Sequence, residues 1–283
     1  MMELKNLLRL PGVFAIVVSW LGSATVLAQT VPPQYTPPTY PGTGPYRRVY
    51  GKTEYSFMSA DVYLPSTPAI SLTGSDTPYI YTGGWGTGGD TAVDAGFQYS
   101  PTYNDWSLFL NVSGGQNLSS DPLPRFKAGQ TVLLQFGATP TTGTSATLQI
   151  SATGINIDND SVEQTLTATG VADWGAGSDT LKRITSIAQN VQNLSDGSFI
   201  NGVDWSNSTI GLSATTEVPW LAAETGGYQS YTTSVVSVNY VDAGNETDSI
   251  SLAQAVPEPG TGLMMITGLT IWAFARRGQF RWN

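Results

Sequence analysis

The hydrophobic positions of this chain fall into short alternating runs. Ser56, Met58, Ala60, Val62 and Leu64 alternate with Tyr55, Phe57, Ser59, Asp61 and Tyr63, and Pro65 closes the run. Trp106, Leu108, Leu110 and Val112 alternate with Ser107, Phe109 and Asn111. Val132, Leu134, Phe136 and Ala138 follow, then Ala146, Leu148, Ile150 and Ala152. Successive side chains leave a strand on opposite sides, so period two predicts strands with one buried face. Further candidates lie at 166–169, 181–191, 209–212, 231–240 and 250–253. Turn-forming clusters separate the runs, among them Ser113-Gly-Gly-Gln-Asn117, Thr139-Pro-Thr-Thr-Gly143 and Asp158-Asn-Asp160. Many short strands with frequent turns predict an all-β chain, an antiparallel β-sandwich. Its length leans to the jelly-roll or concanavalin-like kind. Residues 181–194 admit a second reading, since Ile184, Ile187 and Val191 fit an amphipathic helix.

Composition then removes chemistry. The 283 residues include no Cys and no His. Disulfides, thiolate metal sites, a cysteine nucleophile, a Ser-His-Asp triad and an imidazole base are therefore excluded. Hydrolysis would have to use paired carboxylates, but Glu54, Glu163, Glu217 and Glu224 are scattered. The net charge is −9, and both basic ends discussed below make the middle more acidic still. Such a surface repels phosphate backbones, so no nucleic acid partner is expected.

The two ends differ from the middle. Residues 1–28 carry Lys5 and Arg9, an apolar stretch at 13–21 and the small-residue ending Val26-Leu27-Ala28. That is the layout of a secretory signal peptide cleaved after Ala28. Residues 29–50 are rich in Pro, Tyr and Thr and read as an extended spacer. Residues 51–252 hold the alternating pattern and form the expected sandwich domain. Residues 253–283 begin with Val256-Pro257-Glu258-Pro259-Gly260, continue in an apolar run at 261–275 and end in a basic segment, 276–283, opened by Arg276-Arg277. As a helix that run spans roughly 22 Å at about 1.5 Å per residue, short of a hydrocarbon core of roughly 30 Å. Snorkelling arginines and local thinning relieve such a mismatch. Basic residues on that flank place the C-terminus in the cytoplasm.

This ordered tail resembles the PEP-CTERM sorting signal of Gram-negative bacteria and cyanobacteria. Pro257, Glu258 and Pro259 match the namesake tripeptide, and Arg276 and Arg277 match its basic stop. The likeness covers the tail alone. It implies an exosortase-type membrane protease as partner, an inner-membrane-anchored precursor held by the C-terminal helix, and then release to the cell surface or outside. Exopolysaccharide is the further partner expected, and no catalytic role is implied.

Candidate sites in the middle follow from residue type. Trp85 lies in Tyr81-Thr-Gly-Gly-Trp-Gly-Thr-Gly-Gly-Asp90, which reads as a glycine-rich loop. An indole there could stack on a sugar ring, with Asp90 and Asp94 bonding hydroxyls; the alternative is a Trp folded over the sandwich end. Asp158, Asp160 and Glu163 offer oxygen ligands on a tight turn and could hold calcium, although the glycine and distal Glu of an EF-hand are missing. Asp242-Ala-Gly-Asn245-Glu246-Thr-Asp248 is a second acidic turn. Trp85-Gly-Thr-Gly-Gly-Asp-Thr91 and Trp174-Gly-Ala-Gly-Ser-Asp-Thr180 share Trp-Gly-x-Gly-x-Asp-Thr, which two equivalent turns explain. Arg125-Phe-Lys127-Ala-Gly resembles a fragment of concanavalin-like alginate lyases, whose Arg-rich and Gln-Ile-His strands are missing here. The expectation is an exported, non-enzymatic surface or matrix protein, structural or polysaccharide-binding. The alternative is a glycan hydrolase or lyase using carboxylates or Tyr, Lys and Arg.

Overall fold

The computed structural model describes residues 44–252 apart from 90, 122–124, 142, 176, 192 and 232–233. The signal peptide and the sorting tail lie outside the described residues, as does most of the spacer. Among the described residues no helix is long and apolar enough to cross a membrane.

With strands numbered in chain order, two antiparallel sheets account for almost all regular structure. The first sheet runs β15 (Thr225–Ser230), β1 (Tyr46–Thr53), β12 (Thr180–Ala188), β4 (Thr77–Trp85), β5 (Ala92–Ser100), β6 (Asp105–Val112) and β7 (Asn117–Ser119), with β8 (Phe126–Lys127) also on β6. The second runs β11 (Ser161–Ala172), β10 (Ser145–Ile155), β9 (Gln130–Pro140), β2 (Phe57–Leu64), β13 (Phe199–Gly211), β17 (Asn245–Ser251) and β16 (Val236–Asp242). The short strands β3 (Ile70–Ser71) and β14 (Val218–Pro219) pair with β13. The described helix is one 3-10 turn, Thr87–Gly89.

The expected alternation is the inner face. Met58, Ala60, Val62, Leu64, Leu134, Phe136, Leu148 and Ile150 from the second sheet are buried, as are Val93, Ala95, Phe97, Trp106, Leu108 and Leu110 from the first. Edge-to-face ring pairs add to this core: Phe97 with Phe126 at 5.5 Å and Phe136 with Trp174 at 5.8 Å. Trp106, Trp174, Trp205 and Trp220 are all fully buried.

One end of this core is charged instead. Arg47 on β1 donates from Nε and Nη2 to Glu246 at 3.1 and 2.8 Å, and Arg183 on β12 reaches Glu246 at 3.1 Å. Thr185 donates to Asp248 at 2.7 Å and accepts from Trp205 Nε1 at 3.0 Å. These bonds tie the two sheets together where apolar contact gives out. The Arg47, Arg183 and Glu246 charges hold one another, as burial demands.

Two local expectations change, for residues 46–50 and for Trp85, and of the two readings of residues 181–194 the strand holds. Residues 46–50, taken above as spacer, are strand, because β1 pairs with both β12 and β15. Residues 181–188 are strand and not helix; Arg183 and Thr185 face the charged core, which disrupts the simple alternation. Trp85 ends β4 instead of standing in a loop. Gly83 and Gly84, at φ 112° and 153°, keep that strand in the sheet where a Cβ would strike carbonyls of Val93 and Thr180.

Candidate functional site: an aromatic trough on the first sheet

Residues paired across an antiparallel ladder share a face. On the first sheet, rows of partners therefore define the side turned away from the core. One row reads Tyr46, Ser186, Tyr79, Gln98, Ser107; the next reads Arg48, Ile184, Tyr81, Gly96, Phe109; the third reads Tyr50, Lys182, Gly83, Asp94, Asn111. Trp85 continues this face beside Thr180 and Ala92. Each row crosses five strands, roughly 19 Å at about 4.8 Å per strand.

Two glycines shape the surface. Gly96 stands between Tyr81 and Phe109, and a Cβ there would meet Tyr81 Cα at 2.5 Å. Its bare backbone lets the two rings approach over β5, with centres 6.2 Å apart, while Tyr79 packs edge to face on Phe109 at 5.5 Å. Gly83 plays the same part between Lys182 and Asp94. Lys182 Nζ crosses β4 above it and donates to Asp94 Oδ1 at 2.5 Å.

The aromatic wall carries charge. Lys182 Nζ lies 4.6 Å from the Trp85 ring centre, and the Arg48 guanidinium lies 5.1 Å from the same ring and 4.7 Å from Tyr46. Arg48 Nη1 also donates to Gln229 Oε1 at 2.7 Å. Burial lowers the Lys182 ammonium from its ordinary range, and Asp94 opposes that shift. Burial raises Tyr79, and it raises Tyr81 further with help from the Asp94 charge, so both phenols stay neutral hydrogen-bond donors.

The hollow lined by Tyr46, Tyr79, Tyr81, Asp94, Phe109 and Asn111 has a volume of about 240 Å³. That is below the ~300–1,000 Å³ typical of small-molecule pockets. A second hollow of about 450 Å³ shares Asp94 and Asn111, and a third of about 260 Å³ continues past Gln98 and Ser107 to Arg125. Adjoining shallow hollows make an open trough, not a closed pocket. Among the described residues lining the first hollow, Asp94 is the carboxylate.

Of the sugar-binding candidates, Trp85 and Asp94 share this face through Lys182, while Asp90 lies outside the described residues. Asp158, Asp160 and Glu163 are exposed around the β10–β11 turn, where the Asp158 and Asp160 amides donate to Asn156 Oδ1 at 2.9 Å. Among the described residues no cluster of three acidic side chains suited to a metal ion occurs. In the second acidic turn Asp242 accepts from Gly244 N and Asn245 Nδ2, and Glu246 and Asp248 point into the core. The two echo segments lie against each other: Trp174 Nε1 donates to Thr91 O at 3.0 Å and Thr87 N to Asp173 O at 2.6 Å. One Trp of the echo is core and the other faces the trough. Sequence reasoning missed Arg48, Tyr79, Tyr81 and Lys182; the Tyr-x-Tyr spacing of 79 and 81 was the available signal.

No family model and no curated protein matches the chain. Among solved structures, the marine PL-14 alginate lyase from Aplysia kurodai is similar at 13% identity with a TM-score of 0.26, over 49% of this chain and 70% of that one. At that score the likeness carries no argument about activity.

Proposed function

We propose that this chain is an exported bacterial surface or matrix protein whose sandwich binds polysaccharide along the outer trough of its first sheet. The same reading takes the sandwich as jelly-roll or concanavalin-like. One observation carries it: Tyr79, Tyr81 and Trp85 share an open face with Asp94, Asn111 and Gln98, with the buried Phe109 ring packed against the two tyrosines. Flat aromatic faces suit the apolar faces of sugar rings, and amides and a carboxylate suit their hydroxyls. An open trough across five strands suits a polymer better than a small molecule.

Export and surface sorting rest on the two ends. The signal-peptide layout of residues 1–28 and the Pro257-Glu258-Pro259 tail with Arg276-Arg277 support them together. The protein acts as a binding module in this reading, because two-carboxylate hydrolysis needs a pair roughly 5–9.5 Å apart. Asp94 is already bonded to Lys182, and no second described carboxylate lines that hollow. The test is retention of the full chain on a panel of immobilised polysaccharides, run beside assays for reducing ends and unsaturated products. Retention without product supports the reading. Turnover of any member replaces it with a lyase or hydrolase using Lys182 and the tyrosines, and no retention on any polymer rejects it.

A further inference from the structure

The described cations follow a rule with one exception. Arg47 and Arg183 share Glu246, Arg125 holds Asp105 and Asp121, and Lys182 holds Asp94. Lys52 and Lys127 lack a carboxylate but are exposed, so water solvates them. Arg48 is neither paired nor exposed. It is half-buried between the Tyr46 and Trp85 rings, its Nη1 rests on the neutral Gln229, and its Nε is buried without a hydrogen-bond partner. The chain does not lack acids, with 21 Asp and Glu against 12 Lys and Arg. A partly desolvated cation without a counter-ion is costly, and an anion arriving beside it recovers that cost.

We propose that the trough selects acidic polysaccharide, with Arg48 reading an anionic group on a sugar whose ring stacks on the neighbouring aromatics. This rests on the polysaccharide reading above and deepens it to a substrate class. The surrounding charge supports locality. A chain of net charge −9 repels a polyanion at long range, so an acidic polymer is held only where fixed cations meet it. Arg48 and Lys182 flank Trp85 from adjacent strands, while Asp94 offsets only the second of them.

The test titrates the full chain, in chelator so that no divalent bridge forms, with two matched pairs of polymers. Polygalacturonate is compared with its fully methyl-esterified form, and dextran sulfate with dextran. Hydrogen bonds to charged groups predict that at least one acidic polymer binds at least about tenfold tighter than its neutral counterpart. The pair that shows the preference identifies carboxylate or sulfate as the group read. Arg48→Gln should erase the preference and Arg48→Lys should keep part of it, with melting temperatures measured on both. If Arg48→Gln does not fold, the wild-type salt response decides: binding of the acidic polymer must weaken with NaCl while binding of a neutral one does not. Equal binding of acidic and neutral forms overturns the charge inference and leaves the polysaccharide reading standing. Binding of neither form of either pair, together with an empty polysaccharide panel, overturns both.

Discussion

Lys182 and Asp94 stand on strands that do not touch, yet their side chains form an ion pair at 2.5 Å. β4 runs between them, and the residue it places in that row is Gly83. The missing side chain is what lets the ammonium cross. A Cβ at Gly83 would meet Val93 O at 2.2 Å, and its φ of 112° favours glycine besides. Sheet, salt bridge and aromatic wall therefore depend on one another at this point.

Removing Asp94 leaves Lys182 buried without its counter-ion. Asp94→Asn should cost about 1–2 kcal/mol, less than the ~3–5 of a fully buried pair because the Asp94 side chain is 45% exposed. Lys182→Met in the same chain should recover most of the loss. Denaturant midpoints of the single and double variants check this; equal destabilisation by both would show that the pair is not coupled.

The two tryptophans of the echo should behave in opposite ways. Trp174 is fully buried and bonded to Thr91, so Trp174→Ala should cost about 3–5 kcal/mol. Trp85 is half-buried and stacks on two cations, so Trp85→Ala should cost about 1 kcal/mol while weakening polysaccharide binding by about tenfold or more. Thermal melts and binding isotherms measured together separate the two roles. A collapse of the fold in Trp85→Ala would make that indole structural.

Asp248 gives stability a pH dependence. Burial pushes its carboxyl up to about 8, with the nearby Glu246 charge adding to the rise. Between the ordinary carboxylate range and about pH 8 the folded chain keeps a proton that the unfolded chain has lost. The stability this group contributes is full below pH 4 and is lost as pH rises through 8, with a slope of up to about 1.4 kcal/mol per unit. Asp248→Asn should flatten that part of the profile and be relatively more stable at pH 8 than at pH 5. Denaturant unfolding at both values checks it, and an unchanged slope contradicts it.

The sorting proposal turns on few charges. Replacing Arg276, Arg277 and Arg281 with Glu places acids where the positive-inside bias needs bases, beside a short apolar run with little surplus to resist the change. Fractionation with an epitope tag between Ala28 and Pro45 should find a membrane precursor and a smaller exported form for the wild type, and no processed form for the variant. Identical processing of both would remove the sorting role from the tail.

The legible part of the fold was the part with one apolar and one polar face. β2, β9 and β10 alternate because most of their outward side chains reach water. The strands that carry most of the trough did not alternate. On β1 and β12 the inward face holds Arg47, Arg183 and Thr185, and the outward face holds Tyr46, Ile184 and Lys182. On β4 the outward Tyr79, Tyr81 and Trp85 are as apolar as the inward Ile80. A period-two signal cancels when both faces depart from type. Trp85 and Asp94 were reachable by residue type, but Arg48 and Lys182 became site residues only once the sheet order set their strands beside β4.

The most direct measurement is hydroxyl-radical footprinting of the full chain, with and without each polysaccharide of the panel. Oxidation should fall at Tyr79, Tyr81 and Trp85, which are half-buried in the free chain, when a bound polymer covers the trough. It should not change at Leu133 or Tyr63, which face outward from the second sheet. Protection of the second sheet instead, or of neither face with any polymer, would contradict the assignment of the trough as the glycan site.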